Sequence, residues 1–324
     1  MNTRSFGRTG LYVSEVGVGL WGMGGWSGSD DVQSRQSLQL ACDLGCNFYD
    51  TAWAYGNGHS SRLLGELVTS NHDKRLIVAG KVPPKNLKWP SSPTDSIDDV
   101  FPVEHVIAFA EREREAMQVE TIDILQYHVW DDGWTQTATF ERGVSELRRR
   151  GLMRAFGLSL NRWEPWNGLR AIQTGLVDCV QVIYNIFDQA PEDELFPLCA
   201  EKKIGVIARV PLDEGSLGGH LTLGTTFPAD DFRAKYFGPD NLPETVRRVD
   251  AIRNILPPGI SLPQAALRFI LANPVVSTVI VGMRSERHVR ENMAISDDGP
   301  LEPALLDELK RHRWDRKVVP GSYD

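Results

Sequence analysis

Short apolar runs recur along the chain at residues 15–19, 48–50, 76–80, 122–126, 155–159, 179–183, 205–209 and 277–281. Several are continuously apolar rather than alternating, the pattern of parallel strands covered on both faces. The stretches between them repeat with the period of a helix. In residues 103–117, Val103, Val106, Ile107, Ala110 and Met117 recur on one face, leaving Glu111, Arg112, Glu113 and Glu115 for water. Segments 33–46, 61–70, 135–150, 163–174, 192–203 and 286–295 read the same way. Eight β-then-α units in 324 residues predict an α/β fold, a single (β/α)8 TIM barrel. The chain reads as one domain, with a hairpin over 1–14, the barrel over 15–295 and a C-terminal tail over 296–324.

Two features stand outside the repeat. Residues 4–6 and 11–13 flank Gly7-Arg8-Thr9-Gly10 and predict an N-terminal β-hairpin. Long loops over 83–101 and 211–243 each follow a strand, which in a barrel places them over the C-terminal mouth, where substrates bind.

Composition narrows the function. Lys and Arg number 35 against 43 Asp and Glu, a net charge of −8, which argues against nucleic-acid or polybasic membrane partners. No apolar run approaches the roughly 18–20 residues of a membrane span, and Met1-Asn2-Thr3-Arg4-Ser5 leads into no signal-peptide stretch, so a cytoplasmic protein is expected. Cys42, Cys46, Cys179 and Cys199 are too scattered to staple the fold or complete a metal site, and reduced, buried thiols are expected.

Gly17-Val18-Gly19-Leu20-Trp21-Gly22 matches G-x-G-x-x-G after a strand, but no helix starts within the glycines, as dinucleotide binding there would require. A Trp-bearing loop at the mouth is the better account. The informative segment is Asp50-Thr51-Ala52-Trp53-Ala54-Tyr55-Gly56, after the second run. Lys81 closes the third run and His128 the fourth. A charge that closes an apolar strand points into the mouth and requires a partner. Acid, phenol, ammonium and imidazole on one rim form a proton-transfer group, in which the carboxylate holds the ammonium charged and the ammonium lowers the phenol pKa from about 10.

With these residues in this order, the chain resembles the aldo-keto reductases from the hairpin to about residue 295. The family's Asp-Tyr-Lys-His tetrad falls on Asp50, Tyr55, Lys81 and His128, in the family's D-T-A-x-x-Y-G context. The resemblance implies that Ser159, Asn161 and Gln181 lie at the nicotinamide carboxamide. It also implies that Pro211, Leu212, Gly215, Ser216 and Leu217 belong to a loop closing over the pyrophosphate. Gly282, Arg284, Ser285, His288, Glu291 and Asn292 fall at the adenosine end, with Arg284 and Ser285 as candidates for a 2′-phosphate. Three positions depart from the family pattern. Arg209 stands where better-known members carry an aromatic ring, and either stacks on the nicotinamide or contacts substrate. The family's Ser-Asn pair is spread into Ser159-Leu160-Asn161, and His288 replaces an arginine of many NADPH-preferring members.

The resemblance therefore implies carbonyl reduction with NADPH and no metal, Tyr55 donating the proton and His128 orienting the carbonyl. The alternatives are an NAD-dependent dehydrogenase of a sugar or cyclic alcohol, and a nucleotide-binding subunit that reports redox state to a partner. Trp21, Trp26, Trp53, Trp89, Trp130 and Trp134 all follow strands. About half are expected to pack loops. The rest, with Trp21, Trp53, Trp89 and Trp130 as candidates, would wall a flat mouth suited to a cyclic or sugar-like ketone. The oligomeric state is left open, and the tail around Arg313-Trp314-Asp315-Arg316-Lys317 either folds over the mouth or projects to another subunit.

Overall fold

The computed structural model describes residues 1–26, 28–229 and 231–316. A two-stranded antiparallel hairpin, β1 (Thr3–Ser5) and β2 (Tyr12–Ser14), precedes eight parallel strands that close on themselves. These are β3 (Val16–Gly19), β4 (Phe48–Asp50), β5 (Ile77–Val82), β6 (Ile122–Tyr127), β7 (Met153–Ser159), β8 (Cys179–Ile183), β9 (Gly205–Arg209) and β10 (Thr278–Gly282), with β10 pairing both β9 and β3. The (β/α)8 barrel and its hairpin are as the apolar spacing predicts.

Alternate residues of each strand face inward. Phe48, Ile77, Ala79, Ile124, Ala155, Cys179, Ile207 and Ile280 fill the lower interior, joined by Phe6 and Val13 from the hairpin. The hairpin thus closes the floor of the barrel. Gly7 makes that docking possible: its φ is +55°, and a Cβ there would run into the backbone of Gly205. Two residues further along the same strands come Asp50, Lys81, Gln126, Gln181 and Arg209, so strand parity alone delivers a polar layer above an apolar one.

The helical periods are met at Asp31–Asp43, His59–Ser70, Val103–Ala116, Ala138–Arg149, Leu195–Lys202 and Glu286–Ala294. Segment 163–174 is corrected: only Leu169–Gln173 is helical, because Trp163 has a φ of +60° and Pro165 interrupts the chain. Glu113 is also corrected, being fully buried rather than left for water. Helices Asn241–Ile255 and Leu262–Leu271 fill the chain between β9 and β10, for which no element was predicted, and Asn241–Ile255 begins inside the predicted loop 211–243. A final helix, Pro303–Lys310, leads into the tail. Through Arg316 the tail lies against the barrel: the Trp314 N–H donates to the Phe187 carbonyl at 2.8 Å, and Arg313 pairs with Asp193 at 2.7 Å. Lys317 lies outside the described residues. All four cysteines are buried and free.

Candidate active site

At the C-terminal mouth a cavity of about 670 Å³ opens above the polar layer, within the roughly 300–1,000 Å³ usual for ligand sites. Its floor is built from strand ends. Lys81, wholly buried, donates from Nζ to Asp50 Oδ1 at 2.5 Å and to the Thr51 carbonyl at 2.8 Å. The other Asp50 oxygen accepts from Gln181 Nε2 at 2.7 Å and Gln126 Nε2 at 3.4 Å. The charges of Asp50 and Lys81 therefore match each other, and the pair is fixed from both ends.

Tyr55 stands above this pair, its ring centre 5.1 Å from Lys81 Nζ. The turn that carries it needs Gly56, whose φ is +69° and where a Cβ would collide with the Gly24 carbonyl. His128 faces Tyr55 edge-on, ring centres 5.7 Å apart, and Trp89 stands at 4.5 Å on its other contact. Burial pulls the His128 imidazole well below its ordinary value, and Lys81 and Arg209 push it the same way, so it is neutral and able to donate. The phenol corrects the expectation. Burial, aided by the Asp50 carboxylate, raises Tyr55 above its ordinary 10 and outweighs the downward pull of Lys81 and Arg209. Lys81 is held above 10.5: burial opposes its charge, but Asp50 and Tyr55 more than offset that cost.

The remaining predicted residues divide into three groups. Ser159, Gln181, Arg209, Pro211, Leu212, Gly215, Gly282, Arg284 and His288 line the cavity. Asn161 lines it too, but its amide is committed to the protein, donating to the Trp130 carbonyl and Glu164 Oε2, both at 2.9 Å. Ser216 and Leu217 are buried within the 213–218 turn, Ser216 bonded to Asp213. Ser285 caps helix Glu286–Ala294, accepting from the His288 N–H, while Glu291 is exposed beside Arg287 and Asn292 is buried. None of these last five lines the cavity. Among the tryptophans, Trp21, Trp26 and Trp89 line it, joined by Phe232. Trp53 and Trp130 are corrected: Trp53 packs edge-on against Phe109, and Trp130 is wholly buried against Trp134 and Phe140.

Two contributors escaped the sequence reading. Gln126 sits between Ile124 and His128 at inward parity, a signal present in the alternation. The rim ion pair of Arg162 with Glu214, at 2.5 Å, joins two loops and had no local signature. Asp213, Glu214 and Gly215 all have positive φ, and the turn they form is anchored by Tyr236, whose hydroxyl donates to Asp213 at 2.8 Å, and by Arg316, paired with Asp213 at 2.7 Å.

The chain is 28% identical over 292 residues to aldo-keto reductase YhdN of Bacillus subtilis, covering 88% of this chain and 85% of that protein. It is 27% identical to a probable voltage-gated potassium channel subunit beta of Oryza sativa, covering 96% of each. The structure of the glycerol dehydrogenase from Gluconobacter oxydans superposes with a TM-score of 0.77 at 24% identity, covering 98% of both chains, and shares the fold. The profile of the Aldo/keto reductase family matches residues 15–313, and with the tetrad's strand order and the closed barrel this chain belongs to the aldo/keto reductase family of oxidoreductases.

Proposed function

We propose that the protein reduces a carbonyl compound to an alcohol with NADPH, Tyr55 acting as general acid. The observation that carries this reading is the buried Asp50–Lys81 pair beneath Tyr55, at the floor of a cavity whose lining continues to Arg284 and His288. That lining fits a nicotinamide dinucleotide. Ser159 and Gln181 present polar side chains near the tetrad, Gly215 brings backbone without a side chain, and Arg284 supplies a cation where helix Glu286–Ala294 begins. Ser159, Gln181, Leu212, Gly215 and Arg284 would hold the cofactor, which when bound supplies the hydride.

The chain's own groups manage the proton. The Tyr55 hydroxyl gives its proton to the alkoxide oxygen that develops from the carbonyl. Lys81, kept charged by Asp50, stabilises the phenolate left behind. Neutral His128 donates a hydrogen bond to the same carbonyl oxygen, and Gln126 and Gln181 keep Asp50 from turning away. Trp21, Trp26, Trp89 and Phe232 offer flat apolar surface to a cyclic or sugar-like ketone. Among the described residues no helix is long and apolar enough to cross a membrane, and a cytoplasmic location is part of the proposal.

Separate tryptophan-fluorescence titrations with NADPH and NADH test this reading, since three of nine tryptophans line the cavity. Quenching at markedly lower NADPH than NADH is expected. Equal or tighter NADH binding would favour an NAD-dependent alcohol dehydrogenase, and no binding of either would sink the assignment. The likeness to the channel subunit supports a second reading, a nucleotide-binding redox reporter, which predicts binding without turnover of any carbonyl.

A further inference from the structure

Arg209 is out of balance with its surroundings. Of the cavity's arginines, Arg162 pairs with Glu214 and Arg233 with Asp231. On the floor, Lys81 is matched by Asp50. Among the described residues Arg209 makes no ion pair: Nη2 donates to the Leu160 carbonyl at 3.0 Å, and Nε is buried with no partner. The side chain ends β9 on the inward parity of Ile207 and lines the cavity, to which it is partly exposed. Burial, with repulsion from Arg162, lowers its pKa to about 10 against the weaker upward pull of Tyr55, Glu214 and Asp50, none of which pairs with it, so it still carries its charge at neutral pH. An unpaired guanidinium in a desolvated position is costly unless an anion arrives, and its planar fork matches a carboxylate.

We propose that Arg209 is a specificity-determining residue that binds a carboxylate on the substrate, so that the preferred substrates are oxo acids. This rests on the carbonyl-reductase reading. The tetrad cannot serve the carboxylate itself, because Lys81 is already bound to Asp50 and His128 is neutral. The carbonyl would lie at Tyr55 and His128, the carboxylate at Arg209, and the remaining carbon skeleton against Trp21, Trp26 and Trp89, all of which border one cavity.

The test compares kcat/KM for an oxo acid and its methyl ester, matched in skeleton, in wild type, Arg209→Gln and Arg209→Lys, with the NADPH Kd of each measured by fluorescence. Wild type should favour the acid by at least about tenfold, and Arg209→Gln should cut the acid-to-ester ratio by a similar factor, chiefly through KM. Arg209→Lys should restore part of the ratio, since charge returns without the fork. An acid-to-ester ratio near one in wild type overturns the proposal and leaves the reductase reading standing. So does an Arg209→Gln enzyme with an unchanged ratio and a weakened NADPH Kd, which would assign the guanidinium to the nicotinamide. Failure of wild type to reduce either compound, or to bind NADPH, overturns the reductase reading and this inference together.

Discussion

Glu113 shows how far one residue departs from its sequence pattern. Its neighbours Glu111, Arg112 and Glu115 mark a solvated helix face, yet its side chain is wholly buried, and neither oxygen has a close, well-aligned hydrogen-bond partner beyond weak contact with Ser61 and the Lys81 and Trp53 backbones. Burial raises its carboxyl from an ordinary 4.5 to about 7. The folded protein therefore retains a proton that the unfolded chain releases, and stability falls as pH rises from about 4.5 to 7. Glu113→Gln should stabilise the protein by about 2–3 kcal/mol at pH 8 and by little at pH 4, where the native residue is already neutral. Denaturant unfolding at the two pH values checks this, and an equal effect at both would contradict it. Tyr55 makes a prediction for activity in the same sense but at higher pH. The reductive step needs the phenol protonated, and its pKa lies above 10, so turnover should stay level through neutrality and decline only at strongly alkaline pH. A pH profile falling with a midpoint below about 9 would show that another group is the acid.

At the scale of elements, the barrel strands were legible because several are apolar on both sides, and their inward parity explains why Asp50, Lys81, Gln126, Gln181 and Arg209 meet. Helix Asn241–Ile255 also carried a signal, Leu242, Thr245, Val249 and Ile252 being its buried face, as did Leu262–Leu271, whose Ser261 and Gln264 form a capping box. Loop geometry was not legible. The fates of Trp53, Trp130 and Asn161 depend on how distant loops dock, which local pattern does not encode. The same holds for the 213–218 turn, where buried Asp213 gathers Ser216, Tyr236 and Arg316 from three parts of the chain. Arg316→Ala would leave that carboxylate short of its compensating charge. It should destabilise the fold by about 3 kcal/mol or more. Urea unfolding measures this, and a loss below 1 kcal/mol would mean that the tail rests on the turn without holding it.

For the whole molecule, the closed sheet separates a structural floor from a chemical mouth. Phe6 plugs the floor, tilted against Phe48 at 6.0 Å and lying over Gly205. Phe6→Ala should cost about 3–5 kcal/mol in unfolding free energy, since the rigid barrel cannot collapse into the void. Calorimetry would report the loss, and a near-neutral substitution would show that the hairpin is not a plug. At the other end everything depends on Tyr55. The decisive measurement is NADPH-dependent reduction of a ketone by Tyr55→Phe beside wild type, with NADPH binding to both followed by fluorescence. The account predicts a fall in kcat of about 10²–10⁴-fold with nucleotide binding retained. Substantial turnover by Tyr55→Phe would remove Tyr55 from its role and contradict the proposed mechanism.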